Sequence, residues 1–337
     1  MSARSAAIDD FLVRSGWAGA VRAPLAQDAS FRRYERVRAG ERKAVLMDAP
    51  PAHEDVRPFL RIARRLAELG LSAPRILAED AAEGFLLLED LGDATFTRLL
   101  KSGEAEAPLY RLAADVLADL HRRPAAEAVP EGVAPYDDAL FLREAKLLVE
   151  WYMPAVFGTE TDAGAVRDFE AVWRELLPLA RKVPDTLVLR DFHVDNLMRL
   201  EGRQGVAACG LLDFQDAVRG PVSYDFVSLV EDARRDVAAD VAEAARERYL
   251  AAFPALDAAA FELSCAVLGA QRHCKVLGIF TRLRDRDGKP DYLVHVPRLW
   301  RLLGRAAANP ALAPLKSWLD ANIPAEARIV PPARRAA

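Results

Sequence analysis

Three oxygen-bearing side chains in the second half of the chain have types and spacing suited to moving a phosphoryl group. Asp191 is followed five residues later by Asn196, and Asp213 comes seventeen residues after Asn196. A carboxylate can accept the proton of an attacking hydroxyl, while an amide oxygen and a second carboxylate can bind the magnesium that neutralises phosphates. The three side chains therefore predict a site of two carboxylates and one amide.

Two short apolar runs are the elements that must position these side chains. Residues 186–189 and 206–212 each lead into an aspartate that is followed by phenylalanine. Each polar residue also has an ordinary structural reading, with Asp191 capping a loop, Asn196 in a turn and Asp213 at a strand end. Their joint order favours a functional site, because those readings do not account for it.

Length and composition indicate a globular protein with two packed lobes. The chain has 337 residues, of which 52% are hydrophobic and 28% charged, and a domain typically has about 100–150 residues. Its 46 basic and 50 acidic residues leave a net charge of −4. A chain that binds nucleic acid through a basic surface is usually positively charged, so we expect no nucleic-acid partner.

The cysteines and the hydropathy pattern place the protein in the cytoplasm. Cys209, Cys265 and Cys274 are too few and too scattered for a disulfide framework or a zinc cluster. Two aspartates interrupt the N-terminal segment before a signal sequence could form, and no later run is long and apolar enough to cross a membrane. We therefore expect reduced thiols and no membrane partner.

Hydrophobic periodicity predicts an α+β fold with a β-rich first lobe and a mainly helical second lobe. In the first lobe we expect helices over 8–17 and 54–70, a hairpin of strands 31–38 and 43–49, and a buried strand over 84–91. In the second lobe we expect helices over about 94–101, 106–123, 138–157 and 163–182, and again from 224 onward. The predicted divisions are an N-terminal lobe at 1–91, a C-terminal lobe at 92–330 and a flexible tail at 331–337.

The spacing of Asp191 and Asn196 is that of the protein-kinase catalytic loop H-R-D-x-x-x-x-N, and Asp213 stands in the place of its D-F-G aspartate. Over about residues 20–300 the sequence resembles the aminoglycoside phosphotransferase and choline kinase family. Within that family it is most similar to the branch of N-acetylmuramate/N-acetylglucosamine anomeric kinases. The stretches that carry this resemblance are DASFRRY (28–34), LMDAPP (46–51), LLLEDLGD (86–93), RDFHVDNLM (190–198), LDFQDAVRGPVSYD (212–225) and QRHCKVLGIFTRL (271–283).

The resemblance implies a two-lobed, protein-kinase-like fold and an ATP- and magnesium-dependent kinase. Its substrate would be a small sugar, phosphorylated on the C1 hydroxyl, and its reaction would feed the recycling of cell-wall sugars. By the same resemblance Asp191 is the catalytic base, Asn196 and Asp213 hold magnesium, and Asp225 stabilises the catalytic loop, unless it only caps its helix. The remaining implied contacts are a phosphate-covering turn with Ser30, Phe31 and Arg32, and an adenine site on the backbone of Glu89, Asp90 and Leu91.

The sequence departs from the family pattern at the nucleotide. The turn lacks the glycine-rich pattern G-x-G-x-x-G, and Met47 stands where the strand motif V-A-I-K carries its phosphate-pairing lysine. Lys43, Arg32 or Arg33 could supply the missing positive charge. For each of the three, taken individually, the interpretation as a solvated strand residue is favoured.

A helix over about 258–283 carries a polar stripe that we interpret as lining a cleft. Gln271, Lys275, Gly278 and Arg282 recur at steps of four, three and four on an otherwise apolar helix. Arg272 and Lys275 could pair with a carboxylate or a phosphate there. Glu150 and Trp151 could offer a sugar ring a hydrogen bond and an aromatic surface, although core packing explains the tryptophan equally well.

Two other functions remain open at this point. One is a kinase for another small alcohol, such as an aminoglycoside or choline. The other is a pseudokinase that binds nucleotide without transferring phosphate, which Met47 supports and the retention of Asp191, Asn196 and Asp213 opposes. The sequence leaves open the choice between ATP and GTP, the identity of the sugar and the oligomeric state.

Overall fold

The computed structural model describes residues 3–25 and 31–332, and contacts group the chain into two compact units. Unit 1 comprises Met1–Val116 and Val194–Ala217, and unit 2 comprises Leu117–His193 and Val218–Ala337. Unit 1 therefore extends past residue 91 and includes 194–217, so the units are not the same ranges as the predicted lobes. The predicted lobe boundaries stay a prediction, and most of the predicted tail, 333–337, lies outside the described residues.

Unit 1 is built on a five-stranded antiparallel sheet with the strand order β1-β2-β3-β5-β4. The strands are β1 (Val21–Pro24), β2 (Arg33–Ala39), β3 (Arg42–Asp48), β4 (Ile76–Asp80) and β5 (Phe85–Glu89). The predicted hairpin is confirmed as β2 and β3, which turn at Gly40 with a φ of 60°. That left-handed conformation is one that glycine adopts without steric cost.

Side chains of the sheet alternate between two faces, because successive residues of a strand point in opposite directions. One face packs against the N-terminal helix α1 (Ala3–Arg14) and is apolar: Val37, Ala44, Leu46, Phe85 and Leu87. On the opposite face Tyr34, Val45 and Leu88 line a cavity. One face thus packs into the core of unit 1 with α1, and the other borders the cavity.

The rest of unit 1 consists of helices and a small second hairpin. These elements are α2 (Arg57–Glu68), α3 (Phe96–Lys101), the first part of α4 (Glu106–His121), and the antiparallel strands β7 (Leu197–Arg199) and β8 (Cys209–Leu211). Of the apolar run 206–212 only Cys209–Leu211 is strand, because Gly205–Ala208 forms a turn of 3-10 helix before β8. The predicted helix over 54–70 is confirmed as α2, which buries Phe59, Leu60 and Leu66.

Unit 2 is mainly helical, with one pair of antiparallel strands. Its strands are β6 (Asp185–Val188) and β9 (Val218–Pro221). Its helices are the end of α4 followed by α5 (Ala125–Ala128), α6 (Asp138–Ala145), α7 (Met153–Phe157), α8 (Ala163–Ala180), α9 (Ser223–Val230), α10 (Ala239–Ala251), α11 (Ala258–Asp287), α12 (Val296–Ala307) and α13 (Ala313–Asn322). The long helix α11 is the centre of this unit, since α6, α8, α9 and α12 all pack on it.

The predicted helix over 138–157 is interrupted in the structure. Leu148–Tyr152 is a stretch of π-helix between α6 and α7, and the N–H of Met153 donates to the carbonyl of Leu148. Pro154 follows directly and has no N–H to continue an α-helical ladder. The wider π turn accommodates this loss, which hydrophobic periodicity alone does not reveal.

The polar stripe predicted on α11 does not line a cleft along its length, and that expectation is wrong for two of its four residues. Gln271 is fully buried and donates to the carbonyl of Phe141 at 3.0 Å. Gly278 is also buried, and a Cβ added to it would lie 2.2 Å from the carbonyl oxygen of Leu147. Both residues belong to the contacts of α11 with the segment before it in the core. Gly278 permits the close approach of Leu147, because any side chain at that position would overlap the Leu147 carbonyl.

Other differences concern short elements. The sequence missed β1, β4, β7 and β9, which have three to five residues each and depend on partner strands for their hydrogen bonds. The predicted helix over 8–17 starts at Ala3 instead and ends at Arg14, before Gly16 with a φ of 76°. Among the described residues, no helix combines the length and the hydropathy that a bilayer crossing requires.

The close approach at Gly278 yields a stability prediction. We expect Gly278→Ala to lower the free energy of unfolding by about 1–3 kcal/mol, because the methyl group would overlap the Leu147 carbonyl and force α11 and the π-helical segment apart. Gly304→Ala in α12 is the matched control, since a Cβ there meets no atom within 4 Å. It should be neutral or stabilise by up to about 1 kcal/mol. Urea denaturation of both variants measures this, and equal effects would contradict the packing role of Gly278.

Candidate active site

Asp191 lies in unit 2, just after β6, on a loop with unusual backbone geometry. Arg190 has a φ of 71°, and among the described non-glycine residues only Arg190 and Asp213 have a positive φ. Such a conformation costs about 1–3 kcal/mol and persists only where surrounding contacts impose it. Both strained positions lie at residues that the sequence marks as functional or adjacent to them.

The contact that imposes the loop conformation comes from Asp225 in the first turn of α9. Its carboxylate accepts from the N–H of Leu189 at 2.6 Å and from the N–H of Arg190 at 2.8 Å. Within the described residues, the Asp225 carboxylate makes no hydrogen bond to the start of α9, whose N-cap residue is Val222. The loop-stabilising role implied for Asp225 thus has its contacts in the structure.

Asp225 is buried, and this burial affects its charge. Burial raises the pKa of Asp225 to about 7, although the two amide hydrogen bonds and the charge of Arg272 act in the opposite direction. Backbone amides favour the ionised carboxylate because it accepts both bonds. The loop geometry and the charge of Asp225 therefore depend on each other.

The Asp191 carboxylate remains accessible and ionised. Its side chain is 40% exposed, and Arg272 Nη2 lies 3.7 Å from its Oδ1. Burial alone would raise the pKa of Asp191, but the positive charges of Arg272 and Lys275 outweigh it and lower the pKa to about 2. Arg272 also donates to the carbonyl of Arg190 at 3.0 Å. The Asp191 carboxylate is thus ionised, close to Arg272 and partly open to solvent.

Glu144 of α6 is a further part of this site that the sequence analysis missed. Its buried carboxylate lies 3.0 Å from Lys275 Nζ and also contacts the Arg190 guanidinium and the Tyr136 hydroxyl. Burial acts to raise the pKa of Glu144, yet Lys275 and Arg190 lower it overall. In sequence Glu144 is one charged residue of an amphipathic helix, so no local pattern distinguishes it.

The predicted substrate residues fall into two groups. Arg272 and Lys275 lie beside Asp191 or Glu144, so their charges are balanced by acids of the protein. Glu150 is exposed and 3.7 Å from Lys146, Trp151 is half-buried, and Arg282 is seven residues beyond Lys275 on α11. Seven helical residues correspond to about 10 Å along the axis. Burial and the charge of Arg286 lower the pKa of Arg282.

In unit 1 the free face of the sheet borders a cavity of about 460 Å³, a size within the range of small-molecule sites. It is lined by side chains of β2, β3 and β5, by the segment after β5 and by the segments that carry Asn196 and Asp213. The lining includes Arg32, Tyr34, Arg36, Val45, Leu88, Glu89, Asp90, Leu91, Arg98, Asn196 and Asp213. Of the predicted nucleotide and metal residues, the structure thus brings six to one cavity and leaves Phe31 out of its lining; the six are Arg32, Glu89, Asp90, Leu91, Asn196 and Asp213.

Asn196 and Asp213 are suited to magnesium by their oxygen donors. Asp213 has a φ of 56°, and its carboxylate accepts from Gln215 Nε2 at 2.8 Å. The segments of the two residues are joined, because the N–H of Leu212 donates to the carbonyl of Asn196 at 2.9 Å. No group of three or more His, Cys, Asp or Glu suited to a metal occurs among the described residues. Magnesium here would keep water and phosphate oxygens as its other ligands.

The segment after β5 offers one uncommitted stretch of backbone. The N–H of Glu89 already donates to the carbonyl of Arg75, and its side chain pairs with Arg75 and Arg203. The Asp90 carboxylate is held 2.7 Å from Arg36 Nε. Within the described residues, neither the backbone of Asp90 nor that of Leu91 forms a hydrogen bond. Of the three predicted adenine contacts, Asp90 and Leu91 therefore have backbone groups available to a base.

The predicted phosphate-covering turn is only partly described. Ser30 lies outside the described residues, and Phe31 is 64% exposed and stacks on His53 at 4.7 Å. Arg32 has a side chain only 13% exposed, directed into the cavity and 3.6 Å from Asp213. The favoured interpretation of Arg32 as a solvated strand residue is therefore wrong. Arg33 and Lys43, by contrast, are exposed.

The chain is similar to known proteins over most of its length. The model of the phosphotransferase enzyme family matches residues 21–261. A protein of Caulobacter vibrioides named N-acetylmuramate/N-acetylglucosamine kinase is 39% identical, with 97% of this chain and 99% of that protein covered. A protein of the same name from Pseudomonas aeruginosa is also 39% identical, with 94% of each chain covered.

A solved structure supports the fold independently of sequence. The chain is similar to a choline kinase from Streptococcus pneumoniae with a TM-score of 0.63 and 13% identity, over 91% of this chain and 100% of that one. At this identity the similarity concerns the fold. The predicted α+β, protein-kinase-like fold is confirmed.

The buried charges around Glu144 generate a stability prediction. We expect Glu144→Gln to lower the free energy of unfolding by about 3–5 kcal/mol, because it removes the acidic partner shared by the buried Lys275 and Arg190. Glu170→Gln is the control, since Glu170 also pairs with a lysine and an arginine, Lys146 and Arg174, which are 27% and 62% exposed. It should cost about 0–1 kcal/mol. Similar losses in both variants, measured by urea denaturation, would contradict the compensating role of Glu144.

Proposed function

We propose a function from the premise that this chain belongs to the phosphotransferase enzyme family: it transfers the γ-phosphate of ATP to the anomeric C1 hydroxyl of N-acetylmuramate or N-acetylglucosamine. The structural observation that carries the proposal is the ionised, partly exposed carboxylate of Asp191 on its strained loop. The choice of sugar is supported by relatives that carry this kinase name and align over nearly the whole chain.

In this proposal Asp191 accepts the proton of the attacking hydroxyl. A pKa of about 2 makes it a weak base, but the transition state of phosphoryl transfer is loose and depends mainly on positioning and charge. An anomeric hydroxyl is also more acidic than an ordinary alcohol, so a modest base suffices. Arg272 and Asp225 act as positioning residues because both hold the loop, and Arg272 also keeps Asp191 ionised.

Asn196 and Asp213 are the residues that would hold magnesium. When bound, the metal supplies the positive charge that neutralises the phosphates of the nucleotide. The cavity of unit 1 would take ATP, with adenine hydrogen-bonded to the backbone of the segment from Glu89 to Leu91 and the apolar side chains of Val45 and Leu88 beside the base. The turn with Ser30, Phe31 and Arg32 would cover the phosphates.

The positive charges near Asp191 affect which phosphate acceptor can bind. The groups that lower its pKa most strongly are Arg272 and Lys275, and Arg190 adds to them. A polycationic aminoglycoside or a choline would need an acidic environment, whereas an acceptor with a carboxylate, such as N-acetylmuramate, is compatible with this one. Glu144 offsets part of the positive charge, so Arg272 is the residue to which we assign this selectivity.

The pseudokinase alternative rests on Met47, which places no charge in the cavity. Against it stands the backbone strain at Arg190 and Asp213. A module that only binds nucleotide has no use for a strained, ionised base, and strain that serves no purpose is readily lost.

We propose that the reaction takes place in the cytoplasm, within the recycling of cell-wall sugars.

The role of Asp191 can be tested directly. We expect Asp191→Asn to lower turnover by about 10²- to 10⁴-fold, because it removes the proton acceptor, while ATP affinity stays nearly unchanged. Asp185→Asn is the control, since that aspartate begins β6, the strand before the Asp191 loop, and pairs with Arg219. It should retain turnover. Steady-state kinetics with saturating sugar decide the matter, and near-normal turnover in the Asp191 variant would exclude it as the base.

The substrate assignment is tested by the chemistry of the product. We expect N-acetylmuramate and N-acetylglucosamine to give sugar 1-phosphates, which are acid-labile and have no free reducing end. The methyl glycoside of N-acetylglucosamine is the matched control, because its C1 oxygen is blocked, and it should not react. Phosphorylation of that glycoside, a product that keeps its reducing end, or comparable transfer to kanamycin-type acceptors or choline would refute the assignment.

A further inference from the structure

Met47 brings no positive charge to the face of the sheet that borders the cavity. Met47 pairs directly with Tyr34 across β2 and β3, and residues directly opposite each other share a face of the sheet. Tyr34 and Val45 both line the cavity, so Met47 lies on the same face and is fully buried there. A lysine at this place in protein kinases pairs with the nucleotide phosphates. Here the position is apolar.

Three arginines line the cavity among the described residues, and two of them pair with acids other than Asp213. Arg36 pairs with Asp90 at 2.7 Å and with Asp93 at 2.9 Å. Arg98 pairs with Asp93 at 3.1 Å and is 64% exposed. Both therefore balance the acidic residues that follow β5, at the end of the cavity that holds Leu91.

Arg32 is placed differently. Its guanidinium Nη2 lies 3.6 Å from Asp213 Oδ1, and its side chain is 13% exposed. The residue precedes β2 and has the same parity as Tyr34, whereas its neighbour Arg33 is exposed on the other side. The geometry thus brings a buried positive charge to the carboxylate that we propose as a magnesium ligand.

We propose that Arg32 supplies from the start of β2 the positive charge that a lysine at position 47 would supply from β3, and binds the β- and γ-phosphate oxygens of ATP. This inference rests on the proposed function, because it requires a nucleoside triphosphate in the cavity. A planar guanidinium can donate two parallel hydrogen bonds to a phosphate and keeps its charge when partly buried. Proximity to Asp213 places that charge beside the residue that would hold the phosphate-bound magnesium.

Positions 47 and 32 differ in how the fold holds their side chains in place. A lysine on β3 is fixed by the sheet register, whereas Arg32 is attached just outside β2 and is positioned by its contact with Asp213. Neither Tyr34 nor Met47 can replace it, because neither side chain carries a charge. Loss of Arg32 should therefore weaken contacts with the phosphates and leave contacts with the nucleoside intact.

The test measures binding of ATP with magnesium, and of adenosine, by isothermal titration calorimetry. We expect Arg32→Met to weaken ATP binding by about 10- to 100-fold, the loss of one or two charge-assisted hydrogen bonds, while adenosine binds as before. Arg33→Met is the matched control, since it removes the neighbouring, exposed arginine, and should bind both ligands normally. The double variant Arg32→Met with Met47→Lys should bind ATP at least about tenfold more tightly than Arg32→Met alone.

The outcomes separate this inference from the proposed function. If the unchanged protein does not bind ATP, the proposed function fails. If it binds ATP and Arg32→Met binds equally well, or loses adenosine to the same extent, the role of Arg32 is refuted while the kinase remains. A double variant that melts at the normal temperature without regaining ATP affinity would refute the equivalence of positions 32 and 47.

Discussion

The buried carboxylate of Asp225 determines the shape of the loop that carries Asp191. It accepts the amides of Leu189 and Arg190, and so holds Arg190 at a φ of 71° immediately before Asp191. A chain free of this contact would relax Arg190 to an ordinary conformation and turn Asp191 elsewhere. The position of the proposed base thus depends on an acid 34 residues away in sequence, and on the packing that keeps α9 against the loop.

Charge compensation is the second requirement of unit 2. Arg190, Arg272 and Lys275 are largely buried, and such charges are tolerated only with close partners. Glu144 and Asp191 provide them, and Tyr136 and Tyr224 add hydroxyl contacts to the same network. The cations that keep Asp191 ionised are therefore themselves held by the fold.

In unit 1 the cavity follows from the alternation of the sheet. The apolar face packs on α1, so the other face is free to carry Tyr34 and Val45, with Arg32 continuing the row. A charged side chain can then stand at one position of that face or at a neighbouring one without a change of fold. A positive charge near Asp213 is supplied from beside β2 although β3 carries methionine, because both strands border the same cavity.

The sequence by itself determined the α+β class, the hairpin of β2 and β3, the helix α2 and the order Asp191, Asn196, Asp213, because each depends on local periodicity or on short spacings along the chain. It also indicated the family through motifs that are contiguous in sequence. It could not identify Glu144, the inward direction of Arg32 or the packing role of Gly278, since each depends on a residue distant in sequence: Lys275, Asp213 and Leu147. The π-helical interruption at Leu148–Tyr152 was missed because its apolar spacing is that of an ordinary helix. Local pattern determines which elements form, whereas only tertiary packing decides which buried charges meet and which side chains face the cavity.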